Sequence, residues 1–325
     1  MDDLKLVVSS SPHIHTNESV RRIMLDVLFA LFPACFAALL FFGFRSVVVI
    51  LSAVCACMLS EYLYEKAVKR ETTVSDLSAA VTGVLLALNM PPDIPIWMLV
   101  IGSAFSIIIV KQLYGGLGKN FLNPALAGRC FMLIAWAGAM TSFRNPAFST
   151  AVDAATSATP LAIMKNGLDG SLPTLLSAFL GAKGGSIGET SGLCLLIGFA
   201  YLLIRRIVTC RVPLTYIITF AVLTFFFGKN TTDMNMLSYT VMQVLTGGLL
   251  LGAFFMATDY VTTPTTPKGQ YIFAFGCGIL TFVIRRFGGY PEGVSFSILL
   301  MNVASPLIET LTVPKPFGFE GGASK

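Results

Sequence analysis

Ten apolar runs, separated by short polar or Gly/Pro-rich connections, constrain this chain of 325 residues more than any other feature of it. They cover positions 24–44, 46–64, 77–90, 94–110, 124–140, 190–204, 212–228, 236–257, 270–284 and 294–308. About 20 apolar residues in helical form cross the hydrocarbon core of a bilayer, and a helix satisfies every backbone polar group without help from water. Charged residues make up only 12% of the chain, against roughly a quarter in soluble domains, and mean hydropathy is +0.77. The expected fold is therefore all-α: a polytopic membrane protein of about ten transmembrane helices, some of them short, such as 77–90. Too little chain remains for a separate water-soluble domain. The expected division is an N-terminal segment 1–23, a transmembrane domain 24–308 with a long connection at 141–189, and a tail 309–325.

The net charge of +5, from 22 Lys and Arg against 17 Asp and Glu, reads as orientation and not as nucleic-acid affinity. With the N-terminus in the cytoplasm, alternation places fourteen Lys and Arg inside and seven outside, with Arg129 left within a run. Both termini are then cytoplasmic, and 141–189 lies outside. The first residues carry acids and the first run is long enough to stay as a span, so no cleavable signal peptide is expected. The seven cysteines are odd in number and sit mostly in apolar runs, where a thiol acts as a small hydrophobe. Cys55 and Cys57 are two residues apart, so one helix cannot offer both to a metal.

A diverged repeat is visible. Thr82-Gly83, an apolar run ending at Lys111 and then Tyr114-Gly115-Gly116 are echoed by Thr246-Gly247, a run ending at Arg285-Arg286 and then Phe287-Gly288-Gly289. Alternation makes the two units enter from opposite sides, an inverted repeat of the kind that holds a site or pathway near its pseudo-symmetry axis. Gly-rich apolar sequence that resembles itself by chance is the other reading.

Three polar segments interrupt the runs. Residues 89–93 (Asn-Met-Pro-Pro-Asp) read as the stop of one span and the start of the next. Residues 114–125 combine glycines, Lys119, Asn120 and Asn123 ahead of a helix opened by Pro124. They suit an anionic or heterocyclic ligand at a helix start, or simply a tight turn with an Asn cap. Residues 152–161 form a loop of small hydroxyl residues ending at Pro160, a fitting cap before a short helix. Arg129 reads as an arginine that snorkels to the interface, or as one with a buried phosphate or carboxylate partner. Asp26, Glu61 and Glu309, near the inner ends of their runs, read as snorkelling carboxylates in preference to an ion pathway. His13 and His15 fall on the other side of the membrane from the 152–161 loop, so no hydrolytic constellation accompanies it.

In order along the chain, Ser11-Pro12-His13, the segment Asp76–Gly83, the Gly115–Pro124 run and the Asp153–Thr159 loop resemble the D subunits of Rnf complexes. They resemble more distantly the B subunits of sodium-pumping NADH:quinone oxidoreductases. The resemblance implies a flavin-carrying electron-transfer subunit of a Na+- or H+-translocating ferredoxin:NAD oxidoreductase in a bacterial or archaeal cytoplasmic membrane. In such subunits a flavin transferase joins FMN through its phosphate to the last Thr of an Asp-x-x-Ser/Thr-Gly-Ala/Ser-Thr pattern. Laid on this chain, the pattern gives Asp153, Thr156, Ala158 and the acceptor Thr159, with Ser157 standing where the stricter form has Gly. A non-covalent riboflavin near the inner segment is also implied, with Asn120 and Asn123 as the matching positions. The implied partners are the other subunits of the complex, the flavin transferase and the bilayer, with no nucleic acid. A cofactor-free secondary transporter on inverted repeats explains the runs and the repeat, but gives Asp153–Thr159 no task.

Overall fold

The computed structural model describes residues 19–144, 159–167, 172–189, 191–232 and 234–314, and among them all regular structure is helical. Ser19 caps α1 (Val20–Phe42) by accepting the Arg22 backbone N–H, and Gly43, at φ 72°, turns the chain directly into α2 (Phe44–Val68). Then follow α3 (Ser78–Leu88), α4 (Ile96–Gln112, π-helical in its second half), α5 (Pro124–Ala135), and the short α6 (Ala137–Met140), α7 (Pro160–Asn166) and α8 (Leu175–Leu180). The rest of the bundle is α9 (Gly192–Ile204), α10 (Arg211–Phe227), α11 (Met236–Leu245), α12 (Leu249–Met256), α13 (Pro267–Phe287) and α14 (Val294–Thr312).

Each of the ten apolar runs holds helix. Four helices, α1, α2, α13 and α14, are long and apolar enough to cross a bilayer, and α11 with α12, bent by 60°, makes a broken span or a re-entrant pair. The bend falls at Gly247 and Gly248, whose φ of 73° and 67° lie where side chains with a Cβ are strained. The other five runs give α3, α4, α5, α9 and α10, all shorter. The run at 124–140 is broken at Trp136.

Polarity is arranged for a hydrocarbon solvent. On α1, Phe29, Phe32, Phe36 and Leu40 face outward at helical spacing, while Ala30, Ala34, Ala37 and Ala38 are buried. Small residues let helices approach closely where lipid gives no hydrophobic reason to associate. Gly198 of α9 illustrates this: a Cβ there would stand 2.0 Å from the Ala30 carbonyl oxygen.

The expected inversion is visible in how the two units pair. α1 packs on α9 and α5 on α14, first with first and last with last. Asp26, early in α1, accepts from Arg205 and Tyr201 at the end of α9, at 2.9 and 2.8 Å. Arg129, in the second turn of α5, donates to Ser295 near the start of α14, at 2.7 Å. Deeper in α14, the Asn302 carboxamide, oriented to satisfy both its ends, accepts the Asn123 backbone N–H from the start of α5 at 3.1 Å. Both pairs are thus antiparallel, as an inverted duplication requires.

Candidate functional site

Two cavities lie toward opposite ends of the bundle, with α5 contributing to both. The first opens where α1 begins. It has a volume of about 100 Å³, and its walls include Asn120, Asn123, Lys111, Asp259 and Tyr260. The structure therefore brings the two asparagines singled out from sequence to one cavity, but gives them different tasks. Asn123 is the N-cap of α5: its Oδ1 accepts from Ala125 and Leu126 N–H at 3.1 and 3.3 Å, and its Nδ2 donates to the Met256 carbonyl at 3.3 Å. All its polar atoms are engaged. Asn120 donates through Nδ2 to the Leu122 carbonyl at 2.9 Å, while its Oδ1 is buried with no partner. A buried acceptor left unpaired is costly, so Asn120 is the residue here suited to a ligand that donates a hydrogen bond.

The one cation among the described residues on this cavity's wall is already paired, and carboxylates outnumber it. Lys111 donates to Glu61 at 2.7 Å and to Ser78 at 2.6 Å, with both members of the ion pair fully buried. Gln112 donates to Glu61 and Glu65, and the Thr73 hydroxyl and backbone N–H reach the same two carboxylates. Asp259, in the connection between α12 and α13, has its carboxyl held above the usual range by burial, partly offset by the Val261 N–H and the Thr262 hydroxyl. Lys119 does not line the cavity; it is exposed and lies against Gly115. The cavity thus suits a neutral heterocycle better than an anion. Glu61 does not snorkel, as the sequence reading favoured: a partner 50 residues on holds it inside. Asp26 is also paired and buried, whereas Glu309 accepts from the Thr265 hydroxyl and backbone N–H at the surface.

The second cavity, of about 230 Å³, is lined by Thr159, Ala162 and Asn166 of the α7 region, Met140 and Phe143 after α5, Arg129, and Tyr290 to Glu292 before α14. Thr159 caps α7, its hydroxyl accepting the Ala162 N–H at 3.2 Å, and is only 7% exposed. Asp153, Thr156 and Ala158 lie outside the described residues. Arg129 does not snorkel. It is buried, pairs with Glu292, donates to Ser295 at 2.7 Å, and reaches Asn89 Oδ1 at 3.2 Å. Segment 89–93 is consequently more than a stop signal, because Asn89 ties the end of α3 to this network. Burial holds the Glu292 carboxyl above its ordinary range, against the pull of Arg129.

Sequence reasoning missed Glu292, Lys111, Asp259 and Tyr260. A glutamate inside the run 46–64 and a lysine at the end of the run 94–110 could have signalled a buried pair, whereas nothing in the Gly-Tyr-Pro-Glu-Gly connection distinguished Glu292.

Antiparallel helix pairs, half-length helices and buried polar networks beside two cavities define an all-helical polytopic membrane protein. The profile of the NQR2, RnfD, RnfE family matches residues 7–318, and the chain belongs to that family. It is 47% identical to the D subunit of the Na(+)-translocating ferredoxin:NAD(+) oxidoreductase complex of Acetobacterium woodii, over 98% of this chain and 97% of that one. It is 44% identical to the D subunit of the proton-translocating ferredoxin:NAD(+) oxidoreductase complex of Clostridium ljungdahlii, over 96% of each. It is 36% identical to the D subunit of the ion-translocating oxidoreductase complex of Escherichia coli, over 97% of this chain and 99% of that one.

Proposed function

We propose that this chain is the flavin-carrying D-type subunit of an ion-translocating ferredoxin:NAD(+) oxidoreductase complex, with FMN esterified through its phosphate to Thr159. The observation that carries this reading is the Thr159 hydroxyl at the wall of a 230 Å³ cavity, at the end of an Asp153–Thr159 segment of the flavin-transferase type. The residues present fit the group. The cavity offers apolar wall from Leu133, Met140 and Phe143 and a buried guanidinium from Arg129. Bound flavin would supply the reversible one- and two-electron chemistry that no side chain of this chain provides. Thr159 is then a tether, while Arg129 and Glu292 set the local charge. Asn120, with its free acceptor, would hold a second, non-covalent riboflavin by one of its N–H or O–H groups. The flavin transferase and the other subunits are the partners this reading requires. The two relatives named for different ions are similarly close to this chain, so overall identity does not select Na+ or H+.

Co-expression with a flavin transferase tests the tether. The peptide containing Thr159 is expected to gain the mass of FMN less water, and the denatured band to fluoresce. Thr159→Val removes both. A bare Thr159 in chain purified from its own membrane overturns the covalent assignment and leaves the cofactor-free transporter in its place. Asn120→Leu is expected to lower co-purified riboflavin about tenfold, the order of a lost hydrogen bond to a buried acceptor, with Thr159-linked flavin unchanged.

A further inference from the structure

A third cavity, of about 60 Å³, lies between α7, α10, α11 and α13, at the Thr159 end of the bundle. Four cations line it, Lys165, Lys229, Arg285 and Arg286, and among the described residues no carboxylate does. Arg285 is buried over the Phe220 ring at 4.8 Å, and its two terminal nitrogens donate to the carbonyls of Gln243, Thr246 and Gly247 at 2.6 to 3.0 Å. Those partners are neutral, and its Nε–H has none. The Thr224 hydroxyl, also on the wall, is buried without a partner. The Lys165 ammonium is spent on the Gly288 and Tyr290 carbonyls. Lys229 and Arg286 form no hydrogen bond or ion pair among the described residues. Two carboxylates lie near: Glu292, which is taken by Arg129, and Glu189, held by the neutral Gly247 N–H and Ser186 hydroxyl, which offsets part of the Arg285 charge. Among the described residues the cations still outnumber the carboxylates beside them, and an excess of positive charge, part of it buried, calls for a counter-anion.

We propose that this cavity is an oxyanion site that takes the phosphate of an anionic phospholipid headgroup. The oxyanion follows from four cations and two unpartnered polar groups on one wall. The lipid follows from the flanks: α10 and α13 end beside the cavity in Phe226, Phe227 and Phe287, each at least 66% exposed, and below them Leu214, Ile218 and Val222 of α10 face outward. Acyl chains therefore have an apolar track leading away from the charge, which a free phosphate would not use. Of the described lining residues only Pro291 is shared with the Thr159 cavity, so the site does not rest on the flavin reading. Leu161, Met164 and Lys165 of α7 face this cavity, whereas Thr159, Ala162 and Asn166 face the other.

Native mass spectrometry of the full chain, offered equal amounts of palmitoyl-oleoyl phosphatidylglycerol and phosphatidylcholine, reads the site directly. Retention of the anionic lipid is expected to exceed that of the zwitterionic one about tenfold. Lys229→Gln with Arg286→Gln is expected to erase the preference, and Arg286→Lys to keep most of it. Neither exposed residue supports the fold through a hydrogen bond, so the lipid-free melting midpoint of these variants should match the wild type. Equal retention of both lipids with stabilisation by inorganic phosphate would assign a free oxyanion and overturn the lipid assignment. A preference that survives in the double variant, or no response to either lipid or phosphate, overturns the site.

Discussion

The residues that decide this structure are the charged ones that sequence places in or at the ends of apolar runs and the fold buries. Lys111 and Glu61 are separated by 50 positions and joined at 2.7 Å, out of reach of water. Removing one partner strands the other charge, which costs about 3–5 kcal/mol, whereas replacing both with apolar groups is close to neutral. Lys111→Met is therefore expected to lower unfolding stability in detergent by that order, and Lys111→Met with Glu61→Leu to recover more than half of it. Additive losses in the double variant would show that the pair is not the reason. The same physics explains what was legible at this scale. Thr159, Asn120 and Asn123 could be picked out because small polar residues beside Gly and Pro in a greasy chain stand apart from their surroundings. That Asn123 is spent as a cap while Asn120 keeps an open acceptor could not, since that depends on Met256 and Leu122 arriving beside them. Arg129 misled because a position five residues into a run suits snorkelling until a carboxylate from a distant connection comes within reach.

At the scale of elements, glycines set how closely helices approach, and two of them make contrasting predictions. Gly198→Ala would drive a Cβ into the Ala30 backbone, where no side chain can move aside, and overpacking of this kind costs about 1–3 kcal/mol. The expected result is a lower melting midpoint and a loosened α1–α9 contact. Gly138→Ala, in α6 with nothing within 4 Å of its Cβ, is expected to be neutral or slightly stabilising. Equal effects of the two would mean that close helix approach does not govern this bundle. Element boundaries were readable to a few residues because apolar runs end where charge begins. The bend between α11 and α12 was less so: an unbroken apolar run of 22 residues hides a 60° turn, which only the Gly247-Gly248 pair betrays.

For the whole molecule, the sequence revealed the inverted repeat through a handful of spaced residues, and the antiparallel contacts of α1 with α9 and α5 with α14 give it a physical basis. The connections assigned to each side also gather at matching ends: Arg45 reaches the Ile94 carbonyl and Arg144 pairs with Asp93 at one end, while Tyr260 reaches the Ile207 carbonyl at the other. Which end faces the cytoplasm is a prediction from the Lys and Arg bias. With the exposed Cys55 and Cys210 replaced by Ser, a Lys229→Cys variant is expected to react with an impermeant maleimide in intact cells. Lys69→Cys should react only after permeabilisation, and the reverse pattern would invert the topology. The helix α5 has a consequence on this scale. Asn123 at its start lines one cavity and Arg129 lines the other, six residues apart, a rise of about 9 Å against an oily core of about 30 Å. Along that one helix the two cavities stand less than two turns of protein apart.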